Sequence, residues 1–449
     1  MTDTLKKLCR RAAEQIHALP KNTKVRVISH YDADGVSAAG ILCQMLYREE
    51  LHFHATLMRN PFTKGFERLT KEKNKLIIFA DMGSGQLDSI QKLNTPAIIL
   101  DHHQPITDDT PDEILQINAN LCGINGNYEA SGATLSYGLA STVNHNNTDL
   151  AALALTGAIG DKQYIGGIRG YNATILSEAL HHNVIQEYTG IKLSGQTILE
   201  SLVDSIDPYY PTISGNQKNC EHLLEKLGVK PTTPVEELSE ENMIKIHSFL
   251  LLLLIKNGCH PSIIDTVIRK RYRASVLGFE LERFADLLDA CGKNDQRGLA
   301  LALCLGDKKL LAEAIVVEKD YKTKIVAGLQ TIENGKFMEK QSIRYFYSES
   351  SSLGGVIAGI ATNYLFDTKK PLFALTRKDD ELHISCRGNQ QLVAQGLDLG
   401  GALNQIARKL HGFGGGHKIA AGATIALSQE QEFLDQIDTI ITAQLEKKT

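Results

Sequence analysis

The 449-residue sequence predicts an α/β protein with two lobes. An N-terminal lobe is built on a parallel sheet, and a smaller C-terminal α/β lobe faces it across a cleft, with a helical connector between. Three observations carry this. Over the first 175 residues, short apolar runs alternate with helical patterns, the mark of βαβ units. From 176 to 335 helical periodicity dominates, broken at Asp207-Pro208, Pro211, Gly215 and Pro231-Thr232-Thr233-Pro234. Over 336–449, strand-like runs return around a glycine-rich stretch. The expected domains are therefore 1–175, 176–335 and 336–449.

The elements follow in order. Leu5, Leu8, Ala12 and Ile16 have helical spacing, and Pro20 ends that helix. Lys24 to Ser29 is the first strand. His30-Tyr31-Asp32-Ala33-Asp34-Gly35 follows it, then a small-residue helix from Val36 to Tyr47. The unit recurs: Lys75 to Ala80 is a strand ending at Asp81, and Ala97 to Leu100 is a strand ending at Asp101-His102-His103. Residues 131–142 read as a helix, and Leu150 to Ile159 as an apolar helix ending in Gly160-Asp161. In parallel sheets, ligands sit beyond the carboxyl ends of the strands. The acidic clusters are expected to converge there.

In the connector, Ser239-Glu240-Glu241 opens a helix over Met243–Ile255. Arg269-Lys270-Arg271-Tyr272-Arg273 is the densest basic cluster, and such a run is ordinarily a solvated face. Ala312–Val317 and Lys324–Leu329 read as strands. Ser352 to Asn363 is a Gly/Ala-rich helix, and Pro371–Leu375 and Leu382–Cys386 are strands, the second ending at Arg387-Gly388. A helix from Leu397 to Leu410 runs into His411-Gly412-Phe413-Gly414-Gly415-Gly416-His417, and a polar, charged helix closes the chain.

Composition narrows the function. With 43% hydrophobic and 22% charged residues, the chain is an ordinary globular one. Lys+Arg 48 against Asp+Glu 52 excludes a globally basic nucleic-acid coat. A polyanion would need a local groove, or metal ions supplying positive charge. The eight cysteines are scattered without a CxxC pair, which points to a reducing cytoplasm and away from structural zinc. The longest pure apolar run, Phe249 to Ile255, is too short for a membrane span.

His30, Asp32, Asp34, Asp81, Asp101, His102, His103 and Asp161 nearly all stand at the ends of expected apolar elements. Carboxylates crowded in a buried site repel and take up protons unless cations sit between them. A centre of two divalent cations resolves that conflict. Mixed oxygen and nitrogen donors suit Mn²⁺ first, with Mg²⁺ second where waters complete the shell. Two such ions suit phosphoester hydrolysis.

The set HYDADG at 30–35, Asp81 after an apolar strand, DHH at 101–103 and GDK with Asp161 resembles the four motifs of the DHH phosphoesterase superfamily. GGGHKIAAG at 414–422, with Ser385-Cys386-Arg387 before it, resembles the DHH-associated C-terminal domain of the RecJ-type branch. In length and in the HxDADG form, the archaeal RecJ-like proteins, including the GINS-associated nuclease, are the most similar members. The resemblance implies that Asp32 and Asp34 bind the two metals and that Asp81 bridges them. His102 would ligate one metal, His103 would lie beside the phosphate, and Asp161 would complete a shell. Asp101 would mainly orient its neighbours, and His30 would be a ligand or stand behind one. Arg387, Gly414, Gly415, Gly416 and His417 would hold a substrate phosphate. The helix start at Ser131-Gly132-Ala133 offers a second phosphate site, although capping is the plainer reading.

The implied activity is a two-metal, single-strand-specific exonuclease acting on DNA, with RNA a further substrate, in DNA repair or replication. Hydrolysis would be in-line, without a covalent enzyme intermediate. Single-stranded nucleic acid is the expected partner, with replisome proteins such as GINS a second class and no membrane. Two other readings compete. One is a phosphodiesterase for short oligonucleotides or cyclic dinucleotides; the other is a replisome scaffold that has lost catalysis. Every metal motif here keeps its acidic residues, which favours the enzyme.

Overall fold

A computed structural model describes residues 2–58, 64–275 and 277–446. The chain forms two compact units, Met1–Thr189 with Lys270–Glu318, and Gly190–Arg269 with Lys319–Thr449.

The first unit contains a five-stranded sheet of β1 (Lys24–His30), β2 (His52–Met58), β3 (Ile77–Ala80), β4 (Ala97–Asp101) and β5 (Ile114–Asn118). Its order is β2-β1-β3-β4-β5, with every pairing parallel. The apolar runs are explained by burial on both faces. Ile78, Ala80, Ile98 and Leu100 enter one core, while Ile77, Phe79, Ala97 and Ile99 enter the other. The helices Ala33–Arg48, Gly132–Val143 and Ala151–Gly160 pack on one another over the first of these cores. The strand order reverses between β1 and β3, so their carboxyl ends open a crevice, where doubly wound sheets place their ligands.

A small sheet, ordered β6-β7-β8, is formed by β6 (Ile185–Gly190), β7 (Arg269–Ala274) and β8 (Phe279–Glu280). The basic cluster lies on β7, with Lys270 and Arg273 exposed and Arg271 buried. Lys270 pairs with Glu187 at 2.9 Å, and buried Arg271 pairs with Glu280 at 2.7 Å and with Glu282. The chain then returns to the first core through the helices Leu281–Lys293 and Arg297–Cys304.

The expected strands at 312–317 and 324–329 are corrected: both lie in one helix, Leu311–Glu333. Runs such as Ile315-Val316-Val317 and Ile325-Val326 have strand composition. However, the buried positions Ala314, Glu318, Tyr321, Ile325, Leu329 and Ile332 recur every three or four residues, and that period decides.

The second unit carries a six-stranded sheet of β9 (Met338–Glu339), β10 (Arg344–Tyr347), β11 (Leu372–Lys378), β12 (Glu381–Arg387), β13 (Phe413–Gly416) and β14 (Ala420–Ala426). Its order is β13-β14-β12-β11-β10-β9, antiparallel except for β10 with β11. One face buries Phe373, Leu375, Ile384, Ala421 and Ala423 against the helices Leu399–Lys409 and Glu430–Glu446. The helix Ser351–Tyr364 packs on the other face, over β11 and β12. Among the described residues, no helix is long and apolar enough to cross a membrane.

Candidate metal centre

The crevice between β1 and β3 collects the acidic clusters of the first unit. β1 delivers His30, and Asp32 caps the following helix by accepting the Gly35 N–H at 3.1 Å. His30 Nδ1 lies 2.7 Å from Asp32 and 3.5 Å from Asp81. Asp34, fully buried in the first turn of that helix, accepts the Ser131 hydroxyl at 2.6 Å and the N–H groups of Gly132 and Ala133 at 2.6 and 2.9 Å. A helix N-terminus favours a carboxylate in this way. The 131–133 helix start is therefore occupied by the chain's own anion, and Ser131 also caps it.

Asp81 follows β3 with φ +56°, a left-handed conformation that Asp tolerates better than most residues. It sits so close to the Gly132–Val143 helix that a Cβ on Gly132 would lie 2.6 Å from its own Cβ. Asp101 ends β4. One of its oxygens accepts the Ser84 N–H at 2.9 Å, and the other accepts the N–H of His103 at 3.1 Å and its ring at 2.8 Å. His102 Nδ1 donates to the Gly126 carbonyl at 2.6 Å. That leaves Nε2 facing Asp81 and Asp161, each at 3.2 Å, with Asp34 at 3.8 Å; burial opposes a charge on the ring, but these carboxylates hold its pKa well above the usual imidazole value while no cation is present. Asp161 stands at the end of the Ala151–Gly160 helix.

Three groups of these side chains bring ligand atoms within 4.8 Å of one another: His30, Asp32 and Asp81; Asp34, His102 and Asp161; and Asp81, His102 and His103. The first two are joined through Asp81 and His102. Asp81 Oδ1 and His102 Nε2, though buried and 3.2 Å apart, make no hydrogen bond. Buried polar atoms that face each other without hydrogen-bond geometry are poorly satisfied. A cation set between such groups satisfies both, so the donor set fits divalent metal.

Electrostatics agree. Burial, with the charge of Asp81 added, pushes the Asp34 carboxyl up to about 7. Burial and Asp34 raise Asp161 well above the carboxylate range. Burial opposes a charge on His30, yet Asp32 and Asp81 bring it up to about 11. For His103, the hydrogen bond to Asp101 outweighs burial and favours the imidazolium. Without metal, the cluster holds its charges together only by retaining protons.

The other expected residues lie in the second unit. Arg387 ends β12, with a guanidinium N–H donating to the Cys386 carbonyl at 2.9 Å. Among the described residues no carboxylate pairs with it, and burial lowers its pKa. It sits against the glycine face of the Ser351–Tyr364 helix, and a Cβ on Gly355 would come 3.2 Å from its Nη2. Gly414 and Gly416 are demanded by packing. A Cβ on Gly414 would lie 2.6 Å from the Leu403 carbonyl, and Gly416 has φ +140°. Gly415 faces the opposite, open side. Exposed His417 closes the turn into β14, its N–H donating to Ala420 at 2.8 Å.

The family model "DHH family, N-terminal domain" matches residues 24–158, and "DHHA1 domain" matches 342–443. An uncharacterized protein of Methanocaldococcus jannaschii is 30% identical over 430 residues, covering 94% of each chain. The chain belongs to the DHH superfamily. The RecJ of Thermus thermophilus, solved in complex with Mn²⁺, matches this DHH protein with TM-score 0.61 and 17% identity. The match covers 98% of this chain but 55% of that one, so this DHH protein spans about half the length of that RecJ. CDC45 from Entamoeba histolytica matches with TM-score 0.64 and 13% identity, over 98% and 99% of the two chains. These likenesses show a RecJ-like fold.

The DHH motifs did not reveal the residues behind them. Asn118 donates to Ser84 at 2.8 Å and to the His103 carbonyl at 2.9 Å, and Asn120 donates to the His102 carbonyl at 3.0 Å. Gln163 donates to the Gly126 carbonyl at 2.9 Å, the same acceptor that fixes the His102 ring. Asp289 accepts the Ala33 N–H at 2.8 Å. Asn-Ala-Asn at 118–120 directly after an apolar run was the one readable signal; Gln163 and Asp289 carried none.

Proposed function

We propose that this chain is a two-metal phosphodiesterase, and specifically a single-strand-specific exonuclease on DNA, with RNA a further substrate. The observation that carries the reading is the buried pair Asp81 Oδ1 and His102 Nε2, 3.2 Å apart but without hydrogen-bond geometry, at the junction of two metal-binding groups. His30, Asp32 and Asp81 would hold one ion, and Asp34, His102 and Asp161 the other, with Asp81 shared. Mn²⁺ is the preferred ion and Mg²⁺ the second. When bound, such ions lower the pKa of a water and draw charge from the phosphoryl oxygens.

The chain's own residues do the rest. The Gly132–Val143 helix terminus and Ser131 hold Asp34 in place and favour its ionised form against burial. Asp101 turns the His103 ring and keeps its proton on. His103, with its side chain 60% exposed, then presents positive charge to an incoming phosphate. Gly126 and Gln163 fix the His102 tautomer. Arg387, Gly414–Gly416 and His417 would bind a phosphate of the strand. Free, buried cysteines are in keeping with a reducing, cytoplasmic setting.

The deciding experiment measures release of nucleotides from end-labelled single strands of DNA and RNA, with Mn²⁺, with Mg²⁺ and with EDTA. Metal-dependent loss of the terminal label is expected, and the labelled end that goes first sets the polarity. Cleavage of dinucleotides far faster than of a twenty-mer would replace the exonuclease with an oligonucleotide phosphodiesterase. No hydrolysis by folded, metal-supplied protein would leave a binding role with replisome proteins such as GINS.

A further inference from the structure

Phe413 opens β13, at the edge of the six-stranded sheet, and its side chain is 85% exposed. No other large apolar side chain among the described residues is more exposed. An exposed aromatic on an edge strand is a hazard that folds normally suppress. The sheet register shows what it stands beside. Phe413 pairs with Thr424, and Thr424 pairs with His383. Side chains alternate along strands, so the same face carries Gly415 on β13, Gly422 and Ala420 on β14, and Ser385 and Arg387 on β12.

Between Phe413 and Arg387 the β13 and β14 part of this face offers only Gly415, Gly422 and Ala420 beside Thr424, while β12 carries His383 and Ser385 and lies under the helix Ser351–Tyr364. A Cβ on Gly415 would meet only Asn404 Nδ2, at 3.9 Å, and one on Gly422 only the Ile384 carbonyl, at 3.2 Å. Arg387, with no carboxylate partner among the described residues, pairs with Ala420 at one end of β14; Phe413 pairs with Thr424 at the other. The two positions are four residues apart along the strands, about 13 Å, and two strands apart across the sheet, about 10 Å, so about 16 Å separates them. That is further than one nucleotide reaches from its phosphate to its base. A cation, a floor of small residues and an exposed ring are the parts of a single-strand track, in which bases stack on aromatic faces whatever their identity.

We infer that Phe413 is a stacking platform for a nucleobase of the bound strand, belonging to a neighbour of the nucleotide whose phosphate Arg387 holds. This rests on the nuclease reading and deepens it, because it requires a substrate with bases and more than one nucleotide. Polyphosphate would leave the ring unused, and a mononucleotide could not engage both ends.

The sequence contains no tryptophan, so F413W supplies the sole one, which is excited selectively over tyrosine. It is titrated with a thymidine ten-mer and with an abasic ten-mer of the same length, turnover being stopped with EDTA. Binding to the unsubstituted protein is followed in parallel by anisotropy of the labelled oligomers of both sugars. The ten-mer with bases is expected to quench F413W, and the abasic one is not. F413A should bind the thymidine ten-mer about tenfold more weakly, and F413Y should restore binding. If the unsubstituted protein, tested also with Mn²⁺ supplied, neither binds nor cleaves a strand of either sugar, the nuclease reading falls and this inference with it. If it binds while F413W does not respond, or responds equally to the abasic strand, stacking alone is overturned.

Discussion

At the scale of single residues, the centre is a set of charges that only cations can reconcile. Asp81 is the shared member, so its charge matters more than its shape. Asn at 81 keeps tolerance for the positive φ and removes the charge. D81N should remain folded and lose more turnover than the roughly 10–100-fold typical when a group behind a ligand is removed; steady-state hydrolysis and a thermal melt test both halves. Asp101 makes a different prediction. Its hydrogen bond raises the His103 pKa, so removing the carboxylate lets that pKa fall. In D101N the alkaline limb of kcat/KM should move to lower pH, and an unmoved limb would show that His103 acts without its charge. Metal uptake also carries a sign. Asp34 sits near 7 and Asp161 is raised as well, so protons compete with cations below neutrality. Affinity for Mn²⁺ should fall as pH drops below about 7, with proton release on binding measured by calorimetry in buffers of different ionisation enthalpy. These Asp and His side chains were legible in the sequence because each stands at the end of an apolar run. The amide of Gln163 was not, and Asn118 and Asn120 were marked only by their place at the end of a short strand, because an amide has no characteristic spacing and acts on whatever carbonyl folding brings to it.

At the scale of elements, glycines let the Asp-bearing loops and the central helices approach. A Cβ on Gly157, in the helix Ala151–Gly160, would lie 2.4 Å from Asp34 Oδ1 and 2.5 Å from Ala133 Cβ. G157A should cost about 1–3 kcal/mol by overpacking and weaken metal uptake, read by urea denaturation and Mn²⁺ titration. G298A is the control: it is helical and meets nothing within 4 Å, so it should be neutral or slightly stabilising. Loss of stability without loss of metal affinity in G157A would mean that Asp34 does not need this contact. The legible strands were those buried on both faces, such as Ile77–Ala80 and Ala97–Asp101. β5 escaped notice because Gln116 and Asn118 interrupt its apolar run, although all five of its residues are buried. β14, Ala420–Ala426, is nearly all Ala, Gly and Thr, suited to a thin sheet under its neighbours rather than to strand propensity. The helix Leu311–Glu333 was missed for the opposite reason, its β-branched runs masking a helical period.

At the scale of the whole molecule, the first unit is discontinuous, and a linear reading has no signal for that. Residues 1–175 look complete because they hold every metal motif. Yet Leu281, Phe284, Leu287, Leu288, Leu299 and Leu303 from the returning segment are buried in the same core. Their burial, at about 1.5–3 kcal/mol each, is of the order of a domain's whole net stability, about 5–15 kcal/mol. The segment also reaches the site: Asp289 holds the Ala33 N–H, and a Cβ on Gly292 would lie 1.9 Å from the Tyr31 carbonyl. A fragment of residues 1–189 should therefore not fold cooperatively and should bind Mn²⁺ poorly. Joining residues 270–318 to it through a flexible linker should restore one sharp unfolding transition together with metal binding. The two readouts separate the roles of the segment. Cooperative unfolding of 1–189 alone would show that the core is complete without it, while a folded fragment that still failed to take up metal would reduce its contribution to positioning the His30–Asp34 loop.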